Sequence, residues 1–320
     1  MDGVPTITVV SPSDAIRATD PADVAAAMRW LSDVTGWVCE PADGWDDVAE
    51  NGAAGDPELR AEVLTRALES SDAVFCSAGG DHAHELLEHL DLERLAAAPG
   101  WFVGTSDNSM LAVALASVGV TAFCGPDLKV VPGLDGVAEL GAARPLDFAY
   151  TRAELTSLFT RAGTEVSLPL PPGPSGEVRA LRSGNAQGRL VAVNLRCLLK
   201  LAAVPGWWPA DLLDGAVLLV EGFSAGADDY TSMLDELAGL GVLDRVAALG
   251  FGWLYAVDGP GGDGRFDAVA AAALELTPEP TPVWRLPLFG HRCPHAVLPT
   301  GAPARLVDGA LSVRWPRTSR

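Results

Sequence analysis

Lysine is nearly missing from this 320-residue chain: Lys129 and Lys200 are the two, and 22 Lys plus Arg against 42 Asp plus Glu leave a formal net charge of −20. A surface this acidic repels phosphate backbones, which argues against nucleic acid as a partner. Cysteine is sparse as well. Cys39, Cys76, Cys124, Cys197 and Cys293 are odd in number, widely spaced and form no CxxC pair, a pattern of reduced, mostly buried thiols. Long apolar runs are also lacking. Met1-Asp2-Gly3 places an acid where a leader carries positive charge, and Ile7 to Val10 is too short for its apolar core. Met110 to Gly125 is interrupted by Ser117, Gly119 and Thr121 and falls short of the roughly 20 residues that span a bilayer. The expectation is a soluble, cytoplasmic protein with no membrane partner. Apolar residues, by contrast, are plentiful: 48% are hydrophobic and 20% charged. Such a chain buries a core, and at about 150 residues per domain its length suggests two domains or one large one.

Short β-branched runs alternate with helical patterns over the first 125 residues, the signature of a parallel sheet with crossover helices. Thr6 to Val10 reads as a strand, and Asp20-Pro21 as a helix start followed by Val24, Met28 and Leu31 at helical spacing. Pro57 to Leu68 reads as a helix with Leu59, Val63 and Leu64 on its apolar side, Ala73 to Cys76 as a strand, and Leu86 to Leu90 as a helix. Trp101 to Val103 is a further strand, with a helix from Ser106 onward. The loops Gly79-Gly80 and Gly104-Thr105-Ser106 then lie at the C-terminal ends of strands, where open α/β sheets bind ligands.

Beyond a helix at Arg152 to Arg161, the Pro/Gly-rich Pro169 to Ser175 reads as a linker. Strands are predicted at Arg189 to Val193, Ala216 to Val220, Val246 to Gly250 and Val283 to Arg285, with a hairpin around Asp308-Gly309. The division is an N-terminal α/β domain over 1–150, a connecting helix and linker over 151–178, and a C-terminal α/β domain with a β-rich end over 179–320.

Gly104-Thr105-Ser106-Asp107-Asn108 puts a serine on a sharp strand-to-helix turn, where its hydroxyl is exposed and free N–H groups can meet an oxyanion. On this segment alone an N-capping serine is the simpler reading. Gly79-Gly80 either presents N–H groups to an anion or makes a tight turn. Glu221 ends a buried run and either caps a loop or orients a histidine. His84 and His89 stand five apart, about 140° round a helix, so His82, His84, His89, Glu85 and Glu88 read as a solvated face and not as a zinc helix. His291-Arg292-Cys293-Pro294-His295 lacks a fourth ligand, and Pro294 breaks a regular strand. No metal site is predicted.

The order of these segments resembles the LD-carboxypeptidase family of serine peptidases, which includes the microcin C immunity peptidases. The resemblance runs through Val9-Val10-Ser11-Pro12-Ser13, Asp56-Pro57-Glu58-Leu59-Arg60, Gly79-Gly80, Leu86-Leu87-Glu88-His89-Leu90-Asp91, Gly104-Thr105-Ser106-Asp107-Asn108-Ser109, Gly125-Pro126, Leu218-Leu219-Val220-Glu221, Gly290-His291 and Leu298-Pro299-Thr300-Gly301-Ala302. It implies a two-domain α/β fold with the site between the domains, Ser106 as nucleophile, His291 as general base and Glu221 as the group that orients the histidine. Backbone N–H groups at Asp107 and the Gly79-Gly80 turn would form the oxyanion hole. It implies neither metal nor organic cofactor, and commonly a homodimer.

Departures from the family pattern bear on the substrate. Asp81-His82 follow Gly-Gly where Tyr-Gly is common, Ala192-Val193-Asn194-Leu195 stand for Gly-Gly-Asn-Leu, and Gly222 stands where an acid usually follows the Glu. The implied substrate is a murein tetrapeptide with an L,D bond or an aminoacyl or peptidyl nucleotide. Trp207, Trp208 and Trp253 are candidates for stacking on a base, with ordinary packing as the competing reading, and Asp81 is a further candidate contact. Two alternatives stand beside this one. A divergent α/β-hydrolase esterase shares the chain order Ser, Glu, His and predicts one continuous sheet. A catalytically silent peptide- or nucleotide-binding protein would fit the altered loops.

Overall fold

The computed structural model describes residues 3–16, 21–126, 128, 145–171, 177–258 and 262–317. Its elements follow the predicted alternation. They run β1 (Thr6–Val10), α1 (Pro21–Thr35), β2 (Val38–Pro41), α2 (Pro57–Ser70), β3 (Ala73–Cys76), α3 (Leu92–Ala97), β4 (Trp101–Gly104), α4 (Asn108–Ser117) and β5 (Ala122–Cys124). The second half continues with α5 (Pro145–Thr156), β6 (Glu165–Ser167), β7 (Arg179–Arg182), β8 (Ala186–Asn194), α6 (Leu195–Ala203), α7 (Ala210–Leu213), β9 (Val217–Gly222) and α8 (Ala227–Gly239). It closes with β10 (Ala248–Leu254), α9 (Tyr255–Asp258), α10 (Phe266–Leu276), β11 (Val283–Arg285), β12 (Leu298–Thr300), β13 (Pro303–Val307) and β14 (Ala310–Arg314).

Two sheets result. One has the order β12-β5-β4-β3-β1-β2, the other β6-β14-β13-β8-β9-β10-β11-β7. Strands β1 to β5 are mutually parallel, and β12 joins β5 antiparallel. In the second sheet β8, β9, β10 and β11 are parallel, and β6, β14, β13 and β7 add antiparallel flanks. Two separate sheets exclude the single continuous sheet of the α/β-hydrolase alternative. The strand from the far end of the chain, β12, completes the first sheet, and β6, within the expected linker segment, belongs to the second. Sheet membership therefore crosses the sequence boundaries at 150 and 178.

Helix α4 joins the halves. Asn108 to Leu115 are all buried, because the helix packs on β4 and β5 on one side and on β8 and α6 on the other. A helix apolar all round is what a position between two layers requires. On α2 the core face is Ala61, Leu64 and Leu68, while Leu59 is exposed, so the buried side is rotated from the predicted one. The predicted helix at Leu86 is a 3-10 segment, Ala83–His89. Helix α5 stops at Thr156 and gives way to turns before Arg161. The hairpin between β13 and β14 turns on Asp308 (φ 50°) and Gly309 (φ 80°), the paired positive φ values of a two-residue type I′ loop. The predicted cap at Asp20 and the linker part from Pro172 to Ser175 lie outside the described residues. Among the described residues no helix is long and apolar enough to cross a membrane.

Candidate active site

Strand β4 ends at Gly104 and α4 begins at Asn108, so the chain reverses within Thr105-Ser106-Asp107. Ser106 takes φ 54°, a left-handed conformation uncommon for a residue with a side chain and a form of strain that gathers at functional turns. The turn is braced. Asn108 N donates to Thr105 O (3.0 Å), and Ser109 Oγ donates to Ser106 O (2.6 Å). Asp107, fully buried, accepts from Ser13 Oγ (2.6 Å) and Ala83 N (2.7 Å). Asn108 Nδ2 donates to Ala78 O (2.6 Å), which ties the turn after β3 to the same helix start.

That tie brings Gly79 against the serine. A Cβ at Gly79 would stand 2.6 Å from Ser106 Cβ and 2.9 Å from its Oγ. Gly79→Ala is expected to displace the hydroxyl and lower turnover by roughly 100-fold with the fold intact, since a misplacement of about 1 Å carries that effect. Steady-state kinetics beside a thermal melt check it: unchanged turnover in a folded variant would show that the contact yields.

His291 arrives from the loop after β11. Its Nε2 lies 2.7 Å from Ser106 Oγ and its Nδ1 lies 2.7 Å from Glu221 Oε2. Glu221, on β9 and 1% exposed, also accepts from Asn194 Nδ2 (3.0 Å). Asn194 in turn caps α6 through Cys197 N (3.3 Å) and donates its N–H to Ser109 Oγ (2.9 Å). Gly290, at φ 129°, leaves room for the carboxylate, because a Cβ there would lie 3.2 Å from Glu221 Oε2. Phe223 stacks on the imidazole with centroids 4.9 Å apart at 24°, and Tyr255 lies 5.1 Å behind Phe223.

Asp81 does face the cleft, as half of an ion pair with Lys200 whose ammonium also lies 3.3 Å from Asp107 Oδ1. The Lys200 hydrogen bond holds the Asp81 carboxyl below its ordinary pKa. Gly80, at φ 149°, makes the turn close on Asp14. The resulting cavity, about 390 Å³, is lined by Ser106, His291, Asn194, Arg196, Lys200 and Tyr230 among others.

The tryptophans go elsewhere. Trp207 and Trp208 pack half-buried on the core, and Trp208 lines a separate cavity beside Arg189 and Asp211. Trp253 is buried with its ring 4.8 Å from the Arg285 guanidinium and 4.1 Å from that of Arg292. None of the three lines the cleft, so packing is the reading that fits them. The histidine helix is also no solvated face throughout: Glu85 pairs with the buried Arg60, and His82 Nδ1 lies 2.7 Å from Asp14. Among the described residues no group of His, Cys, Asp and Glu could hold a metal ion.

His295, four residues past His291, lies behind the site. Its Nδ1 is 2.8 Å from Ala296 O, so that nitrogen carries the proton, and Nε2 faces Thr105 Oγ1 at 3.4 Å. Burial lowers its pKa to about 4, against the opposing pull of the Ala296 carbonyl. In the unfolded chain the imidazole titrates near about 6.5. Below that pH the unfolded state takes up a proton the folded state does not, so stability falls by up to about 1.4 kcal/mol per pH unit until pH nears 4. Urea midpoints at pH 7 and pH 5 are expected to diverge less in His295→Asn than in the native chain. Equal pH slopes in the two proteins would remove His295 as the cause.

A model of the LD-carboxypeptidase N-terminal domain matches residues 7–125, and one of the C-terminal domain matches residues 187–306. Over 214 residues the chain is 24% identical to a Vibrio cholerae protein provisionally named a carboxypeptidase; the match takes 61% of this chain and spans 61% of that protein's length. The fold superposes on the microcin C7 self immunity protein MccF in complex with aspartyl sulfamoyl adenosine at a TM-score of 0.80 and 19% identity, covering 98% of this chain and 96% of the other. An MccF-like protein from Streptococcus pneumoniae in complex with AMP gives a TM-score of 0.77 and 21% identity over 98% of this chain and 99% of the other. With both domain models matched in order along the sequence, the chain belongs to the LD-carboxypeptidase family.

Proposed function

We propose that the protein is a serine amide hydrolase in which Ser106 is the nucleophile, His291 the general base and Glu221 the group that orients the imidazole. The observation that carries this reading is the continuous relay from Glu221 Oε2 through the His291 ring to Ser106 Oγ, 2.7 Å at each step. A serine hydroxyl is a weak nucleophile until a neutral imidazole takes its proton, and the imidazole needs an acceptor on its other nitrogen to fix the tautomer. Ser106 Oγ attacks the amide carbonyl and its proton passes to His291 Nε2. The oxyanion is met by backbone N–H groups of Asp107 and the Gly79-Gly80 turn. His291 then returns the proton to the leaving nitrogen, and a water activated by the same ring hydrolyses the acyl ester.

The family membership supports a peptide-like substrate. The fold shared with MccF supports an aminoacyl sulfamoyl nucleotide as the first compound to offer, with a murein L,D-tetrapeptide as the second. Aspartyl sulfamoyl adenosine and the tetrapeptide are incubated separately with the purified chain and followed by mass spectrometry. Release of aspartate or of terminal D-alanine is the expected result. No turnover of either compound at stoichiometric protein would overturn the reading in favour of a binding protein.

A further inference from the structure

One wall of the cleft carries polar groups that no contact among the described residues occupies. Tyr230 on α8 is 1% exposed and lines the cleft, and its hydroxyl has no hydrogen-bond partner among the described residues. A buried hydroxyl left unpaired is costly, and such a group at a site wall is accounted for by a partner that arrives with a ligand. Burial holds the phenol well above its ordinary pKa, so it remains a donor.

The hydroxyl occupies space that a side chain at position 222 would need. A Cβ on Gly222 would lie 1.8 Å from Tyr230 Oη. Gly222 is the position that departs from the family pattern, where an acid follows the Glu. With the phenol hydroxyl in that space, the wall presents a neutral donor beside Gly222.

Arg196 is the second group. It stands in the first turn of α6, is exposed, and lines the same cleft as Tyr230. The other charged groups that line the cleft have partners: Asp14 meets His82, Asp81 meets Lys200, and His291 meets Glu221. Among the described residues of the cleft, Arg196 alone carries charge without a charged partner.

We propose that Arg196 and Tyr230 form a specificity subsite for a carboxylate of the substrate, beside the scissile amide. The proposal deepens the hydrolase reading and rests on it, because Ser106 marks where the scissile bond lies. The guanidinium supplies a charged two-pronged donor and the phenol a fixed third one. The carboxylate belongs either to the leaving residue or to the side chain of the acyl residue.

Equilibrium binding by calorimetry to the full chain carrying Ser106→Ala distinguishes these sources. One ligand pair is a murein tetrapeptide as free C-terminal acid and as carboxamide; the other is aspartyl and asparaginyl sulfamoyl adenosine. In one pair the acid is expected to bind at least about tenfold more tightly than its neutral partner. Adding Arg196→Gln should abolish that preference while the neutral ligand's affinity stays within about twofold. Adding Tyr230→Phe should weaken the acid by about fivefold with no loss in thermal midpoint, since only an unpaired hydroxyl is removed. Absence of an acid preference in both pairs, or a preference that survives Arg196→Gln, overturns the subsite. The nucleophile assignment is tested separately by turnover, because binding is read in a protein that lacks the Ser106 hydroxyl.

Discussion

Alanine in place of Ser106 is expected to lower kcat by on the order of 10⁴- to 10⁶-fold while KM changes little, because the removed atom forms its bond only on the way to the transition state. His291→Ala should cost a similar factor, and the double variant should be no slower than either single one, since groups that act as a unit do not contribute additively. The residual rate over water would come from the N–H groups at Asp107 and Gly79-Gly80, which neither substitution touches. The fold should persist. The substituted alanine would meet the same φ of 54° as Ser106, and the bracing bonds run through Thr105 O, Ser106 O, Asp107 and Asn108 and not through Ser106 Oγ. Steady-state kinetics of the three variants, each with a matching thermal midpoint, are the measurement. Turnover within tenfold of the native chain in a folded Ser106→Ala protein would rule the serine out as nucleophile.

Much of the fold can be read from local pattern. Strands β3, β4 and β5 are buried along their whole length, so they appear in the sequence as continuous apolar runs, as strands of a covered parallel sheet do. Strands at the edges are different. Residues of β6 and β7 are half-buried or exposed and offer no apolar run to notice. The return of β12 to the first sheet depends on pairing Leu298 with Cys124 and Thr300 with Ala122 of β5, a contact remote in sequence that no periodicity encodes. On α2 the buried Arg60 turns the helix: its guanidinium donates to Pro12 O (2.8 Å) and pairs with Glu85. Leu59 is thereby left facing out, and a count of apolar residues alone misjudges the buried face.

The cleft shows the same division. Ser106 and Glu221 each stand at a strand end, which draws attention to them, but taken singly the first reads as a helix cap, the second as cap or orienting group, and His291 as part of an incomplete metal cluster. What brings them together was legible only through the order of motifs. Lys200, Arg196 and Tyr230 lie inside helices, where a charged or aromatic residue looks like any other surface or core residue until the neighbouring half of the molecule is in place. Of the two lysines in the chain, Lys200 is the one whose ammonium bridges Asp81 and Asp107. Rarity was the available signal, and composition alone gave no reason to follow it. The tryptophans were the opposite case. Aromatic residues beside proline draw attention as stacking surfaces, yet their area is more often spent on packing, and the Trp253 ring lies near two guanidinium groups.

Glutamine in place of Glu221 is expected to lower kcat by on the order of 10³- to 10⁴-fold, and the reason lies in counting donors. The native carboxylate faces two of them, Asn194 Nδ2 at 3.0 Å on Oε1 and the His291 Nδ1–H at 2.7 Å on Oε2. An amide has one oxygen and one NH2 group, so it can serve one donor and must confront the other. If its oxygen serves Asn194, its NH2 faces Nδ1 and favours the histidine tautomer with the proton on Nε2, where no proton can be taken from Ser106. A wrong tautomer with the geometry intact carries a loss of about 10⁴-fold in the comparable triad. If the oxygen serves His291, two NH2 groups meet at Asn194 in a site where Glu221 is 1% exposed and water is no substitute. This conflict has a designed remedy. Asn194→Asp in the Glu221→Gln background supplies an acceptor to the amide NH2, keeps the buried charge of the pair unchanged, and retains an oxygen for Cys197 N. The double variant should recover at least about tenfold of the lost turnover, with the pH profile of kcat moving back toward that of the native chain. Recovery of less than about twofold in a folded protein would mean that Asn194 does not set the orientation of the carboxylate. A Glu221→Gln variant within tenfold of native turnover would mean that the carboxylate does not hold the imidazole.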